Sequence, residues 1–239
     1  MNERKGGKNM RRLFVGLVLA SLATTMIGIP VVASQPTTPP NIEKVTFVHY
    51  AKSSDHSKPV WDEMVEDFRL IAGGVKWFST ISYEVNPAGS GLDRDLVRST
   101  LEASSETWDS ETEFELFAPS ELTEETAIGY DETNRIVWGE LNPGVIAVTY
   151  LWYNPATKQI VEFDMVFNTY YTWSTDEAST TMDLQNIATH EFGHNGLADL
   201  RPPKDQALTM YAYSSLEETI KKTLGDGDIL GIQKLYGPK

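Results

Sequence analysis

Apolar residues recur along this chain with two periods, and the switching between them predicts an α/β fold. Residues 45–50 (V-T-F-V-H-Y) and 78–85 alternate as strands do, and 114–117 and 134–138 read as shorter ones. Residues 144–153 (G-V-I-A-V-T-Y-L-W-Y) carry the strongest strand pattern. A turn at 154–158 returns the chain through 159–168, where Ile160, Glu162 and Asp164 alternate with Val161, Phe163 and Met165. Helical spacing governs 93–108, with Val97, Leu101 and Trp108 on one face, and 182–194, with Leu184, Ile187, Ala188 and Phe192 as its stripe. Asn195-Gly196 reads as the end of that second helix, the glycine free to take the left-handed conformation. A helical pattern also covers 61–71 and stops at Gly73-Gly74, and a last helix starts at 226–228 with Ile229, Ile232 and Leu235 facing inward.

The N-terminus does not fit that alternation. Arg4, Lys5, Lys8, Arg11 and Arg12 stand against Glu3, residues 13–29 are almost wholly apolar, and Val31-Val32-Ala33 offers small residues for cleavage. That three-part layout predicts a signal peptide over 1–33 and a secreted, extracellular product. An uncleaved membrane anchor is the alternative, since about 17 apolar residues approach the length of a span. Residues 34–41 form a proline-rich spacer. The whole of 34–74 is a linker or a short N-terminal extension: a prosegment, an extra strand or a stalk. Residues 75–239 are then the folded domain. His49 and His56 fall in the extension, where each reads as a surface or packing histidine, with no partner at metal-ligand spacing.

Charge and cysteine count narrow the function. Removing 1–33 takes the formal net charge from −14 to −18, a surface that repels nucleic acid and anionic membranes, and the product is expected to be monomeric. The chain has no cysteine, which excludes disulfides and thiolate metal ligands.

Two of the four histidines sit in residues 189–200, T-H-E-F-G-H-N-G-L-A-D-L. His190 and His194 are four apart, so on a helix both imidazoles reach one metal ion. Glu191, beside the first, is placed as general base for a zinc-activated water. A catalytic zinc takes three protein ligands, and Asp199 is the candidate third; Glu217 or Glu218, further along, is the alternative. Glu191 takes a proton from the water and passes it to the leaving amine of a peptide or protein substrate. The strand over 144–150 offers an edge for an extended peptide, although an apolar strand also serves simply as core.

Together these residues resemble the metzincin metalloproteases, and among them the matrixin-like group of secreted bacterial and archaeal proteins. The resemblance covers most of 75–237 and rests on H-E-F-G-H with Gly196 and Asp199, on Thr209-Met210-Tyr211, and on G-I-Q-K-L-Y-G at 231–237. It implies a five-stranded mixed, mostly parallel sheet with a zinc helix beneath it and a C-terminal helix. Met210 would form an apolar floor under the zinc. Tyr211 would lie beside a substrate pocket, and Ala147 on the substrate-binding edge strand. Asp228 falls in the acidic start of the helix that packs behind the zinc helix. The family spacing puts the glycine three and the third ligand six residues after the second histidine; here they are two and five, so the turn is one residue short. A prosegment cysteine latch is excluded, and no complete calcium-ligand loop is visible. The implied function is a secreted zinc endopeptidase; the alternative is a weak or inactive metalloprotease-fold module for binding or adhesion.

Overall fold

A computed structural model describes residues 38–52, 66–176, 178–201 and 206–239. The expected signal peptide, His56 and residues 61–65 of the expected first helix lie outside them. Among the described residues no helix is long and apolar enough to cross a membrane.

Nine short segments take up the extended pattern. They are β1 (Glu43–Ala51), β2 (Tyr83–Val85), β3 (Glu121–Leu122), β4 (Asn134–Gly139), β5 (Val145–Asn154), β6 (Gln159–Asn168), β7 (Trp173–Ser174), β8 (Met182–Asp183) and β9 (Tyr213–Ser214). Seven form one mixed sheet in the order β3-β2-β4-β6-β5-β1-β9, and β7 pairs with β8 separately. Pairing is parallel from β3 to β6 and between β1 and β9; β5 runs antiparallel to both its neighbours. The sheet is thus mixed and mostly parallel as expected, but seven strands wide instead of five. The excess is β1 and β9, which extend it past β5.

Three helices, α1 (Arg94–Asp109), α2 (Leu184–Gly193) and α3 (Asp226–Tyr236), fall where the 3.6-residue pattern placed them. Asp93 caps α1 by accepting from the Asp95 and Leu96 amides, and Val97, Leu101 and Trp108 are fully buried. Asp183 caps α2 by accepting from the Asn186 amide at 2.9 Å. Phe192 carries α2 onto the sheet, its ring meeting Tyr83, Phe117 and Phe163 at centroid distances of 5.1 to 6.5 Å.

Two expectations fail locally. Residues 66–69 are not helical, and only one 3-10 turn, Ile71–Gly73, follows. Their backbone is committed elsewhere: Arg69 O accepts from Ala198 N, and Ile71 N donates to Gly196 O. Most of 78–85 is irregular, with Ile81 making a single bridge to Phe117 in place of two longer strands. Glu162 and Asp164 of β6 are fully buried beneath the loop before β4, accepting from the amides of Gly129, Asp131, Glu132 and Arg135.

Candidate metal centre and active site

Helix α2 delivers His190 and Glu191 in its last turn, and His194 caps it with helical φ −66° and ψ −3°. Why a glycine stands between the histidines is a matter of packing. A Cβ at Gly193 would lie 2.2 Å from Met210 Sδ and 2.6 Å from Trp108 Cζ2, so only a bare backbone lets the methionine and the α1 tryptophan close on the helix. Trp108 Nε1 also donates to the Thr189 carbonyl at 2.8 Å, fixing α1 against the same turn.

Gly196 serves a different purpose from the one the sequence suggested. It is not in the left-handed region. It is glycine because a Cβ there would meet Leu235 Cδ1 of α3 at 2.5 Å. The helix stops early, at Gly193, which absorbs the missing residue of the turn. Asn195 holds the turn from both ends: its Oδ1 accepts from Trp77 Nε1 at 2.8 Å, and its carbonyl accepts from the Tyr236 hydroxyl at 3.0 Å.

The result is a convergence of three donor atoms. His190 Nδ1 donates to the Thr209 carbonyl at 2.6 Å and His194 Nδ1 to the Leu197 carbonyl at 2.9 Å. Because carbonyls only accept, both Nδ1 atoms carry the proton and both Nε2 atoms present a lone pair. Asp199 Oδ1 stands 3.4 Å from His190 Nε2 and 3.6 Å from His194 Nε2. All three atoms are buried without a hydrogen-bond partner. Buried polar atoms are nearly always partnered, and tetrahedral ligands about 2.1 Å from a zinc ion stand about 3.4 Å apart. The donor set therefore fits zinc. Burial lowers the His194 imidazole to about 4, so it stays neutral as a ligand must.

Glu191 points to the other side of His190. Its Oε2 accepts from Thr149 Oγ1 of β5 at 2.5 Å, and burial pushes its carboxyl up to about 7. Beneath lies Met210, buried, on a turn held from behind by Asp228. That carboxylate accepts from the Thr209 amide at 2.7 Å and the Met210 amide at 3.1 Å. A continuous path thus runs from α3 through Thr209 to His190.

The alternative third ligands lie elsewhere. Glu218 is paired with Lys52 at 2.6 Å and with the buried Lys221 at 2.9 Å. Burial pushes that carboxyl up, but the two ammonium groups prevail and hold it at about 2. Glu217 accepts from the Thr180 amide at 3.0 Å. Tyr211 is buried behind the site with Lys52 and Lys221 near its ring face. Ala147 is buried opposite His49, on a strand paired along both sides, so it does not lie on a free edge.

His49 is the residue the sequence misplaced most. It is fully buried at the centre of the site, its Nδ1 3.2 Å from Glu191 Oε1 and its Nε2 3.0 Å from Ser214 Oγ. Its ring lies 3.9 Å from that of His190, and Phe47, two residues earlier, stacks on His194 at 4.0 Å and 8°. The signal was present: Phe47 and His49 share one face of an alternating strand. Thr149 and Ser214 carried no comparable mark.

Comparison with known proteins agrees with this geometry. The matrixin model of the M10 peptidases matches residues 76–237. Stromelysin-1 of Rattus norvegicus is 27% identical over 177 residues, 73% of this chain and 36% of the relative. Stromelysin-1 of Mus musculus is 28% identical over 174 residues, 72% of this chain and 35% of the relative. The chain thus spans about a third of the length of these relatives. With the family model covering more than half its residues, including the two histidines, Asp199 and Met210, the chain belongs to the matrixin family.

Proposed function

We propose that the protein is a zinc-dependent endopeptidase, exported by its N-terminal segment, that hydrolyses peptide bonds with Glu191 as general base. The observation that carries this is the triangle of unpartnered atoms on His190, His194 and Asp199 beside a buried carboxylate. Membership of a peptidase family supports it.

Zinc held by those three residues would supply Lewis acidity, making water acidic near neutral pH and polarising a peptide carbonyl. The rest is the work of the chain. Glu191, held up at about 7 by burial, can take a proton at its carboxylate and return it to the departing amine at the same pH. Thr149 fixes one of its oxygens, so the other is the one that moves the proton. The Thr209 and Leu197 carbonyls fix both ring orientations, and Asp228 steadies the first of them. Met210 and Trp108 close the floor against water.

The purified full chain should hold about one zinc per molecule, and Asp199→Ala should hold far less. Casein cleavage should stop with chelator and with Glu191→Gln. Zinc below roughly a tenth of an equivalent would sink the metal assignment. Full zinc with no turnover on any peptide would leave the binding-module alternative standing.

A further inference from the structure

The turn from His194 to Asp199 is one residue short, and its course is dictated from outside. On one flank Ile71 N donates to Gly196 O at 3.1 Å and Ala198 N to Arg69 O at 2.7 Å. Beyond the carboxylate, Leu200 N donates to Met210 O at 2.8 Å and Ala212 N to Leu200 O at 3.0 Å. These bonds fix the backbone on either side of Asp199, but they begin only at Gly196. The step out of α2 into the turn falls to Asn195, and there side chains do what backbone pairing does further on.

Three residues from distant parts of the chain close a ring of hydrogen bonds around that step. Trp77 Nε1 donates to Asn195 Oδ1 at 2.8 Å, and Trp77 N donates to the Tyr236 hydroxyl at 2.9 Å. That hydroxyl in turn donates to the Asn195 carbonyl at 3.0 Å. Asn195 Nδ2 reaches back and donates to Phe192 O at 3.1 Å, in the last turn of α2. An amide carries its acceptor and its donor on separate atoms, so one buried side chain serves the indole and the carbonyl at once.

The ring is anchored in the rigid part of the fold. Lys76 N donates to Lys158 O and Ile160 N to Lys76 O, both at 2.9 Å, so Trp77 leaves the sheet at the head of β6. Tyr236 ends α3, with its ring stacked on Phe114 at 5.6 Å and 18°, and Lys76 Nζ donates to Leu235 O at 2.8 Å. Sheet and last helix therefore meet at Asn195, directly after His194 and four residues before Asp199. The turn has no slack to absorb a change there. His194 Nδ1 donates to Leu197 O and Leu197 N to Gly193 O, both at 2.9 Å, and Gly196 lies against Leu235.

We propose that Asn195 is the positioning residue of the third metal ligand. Held by Trp77 and Tyr236, it sets the exit angle of the shortened turn and so places Asp199 Oδ1 at 3.4 and 3.6 Å from the two imidazole nitrogens. The proposal rests on the zinc reading of that triangle. Asn195 acts only through the chain that follows it, and its removal is felt at the metal as a displaced carboxylate.

A double-mutant cycle on zinc affinity tests this in the full chain, by competition with a chelating dye at a temperature where every variant is folded by circular dichroism. N195A should bind zinc about tenfold or more weakly than the parent, as loss of an outer partner of a metal ligand does. In a D199A background the same substitution should cost less than about twofold, because the group it positions is gone. Cobalt in place of zinc gives a second readout, since its visible absorption reports the ligand set. The N195A spectrum should move from that of the parent towards that of D199A. Should N195A not fold, Y236F carries the same cycle, removing the hydroxyl and keeping the ring on Phe114.

An equal loss of affinity in the parent and D199A backgrounds would overturn the proposal, because general loosening weakens the site whether or not the carboxylate is there. Zinc affinity of N195A within about twofold of the parent would overturn it too. A parent that holds no zinc removes the zinc reading and this proposal together. The expected pattern of zinc loss without any casein cleavage keeps the proposal and removes the peptidase function.

Discussion

At the scale of single residues, the site is built by what each side chain prevents its neighbours from doing. Gly193 leaves no room for a methyl group between Met210 and Trp108. Gly193→Ala should therefore destabilise the fold by about 1–3 kcal/mol, as overpacking does, and show as a lower denaturant midpoint with unchanged slope. Asp228 would act on a bound metal at one remove, through the Thr209 carbonyl that orients His190. Asp228→Asn should weaken zinc affinity by about 10–100-fold, measured by competition with a chelating dye, while the circular dichroism spectrum stays that of the parent. His190, Glu191, His194 and Asp199 were legible in the sequence because their spacing is local, and helix geometry alone brings the first three together. His49 was not, because 142 residues separate it from Glu191 and only sheet pairing closes that distance.

At the scale of elements, the long periodic segments were readable and the short ones were not. The α1 stripe, the α2 stripe and the pair β5–β6 follow from patterns ten or more residues long. The irregular run before β2, and the clasp of residues 69–71 on the turn after α2, follow from contacts with distant backbone that no local period records. Strand β6 shows a further consequence of burial. Its Glu162 is pushed up to about 8 and its Asp164 to about 7 chiefly by desolvation. The folded state therefore binds these protons more tightly than the unfolded chain, whose groups titrate near 4.5 and 3.8. Their contribution to stability is whole below those values and is lost as pH rises through about 7 to 8. Melting temperature should fall as pH rises from about 4 to about 8, and Glu162→Gln should flatten the fall.

At the scale of the molecule, the metal should behave as a ligand of the folded state only, since the turn that carries Asp199 exists only when α2, α3 and the 69–71 segment are packed together. Zinc at about a hundredfold excess over its dissociation constant should add about 2.7 kcal/mol, or roughly 5–10 °C in melting temperature, and chelator should remove it. An unchanged melting curve would mean that the three donors are not preorganised for metal. The sheet has a second property at this scale. Its outermost strands β3 and β9 have two residues each, and β9 pairs only with Tyr50 and Ala51, so the outer edge of β1 from Glu43 to His49 has no described strand beside it. That stretch begins with the exposed charges Glu43 and Lys44, which discourage pairing with another chain. Replacing Glu43 and Lys44 with valine should therefore promote edge-to-edge association that rises with concentration, measured by light scattering. Two charged side chains at the start of β1 thus guard the margin that β9 leaves uncovered.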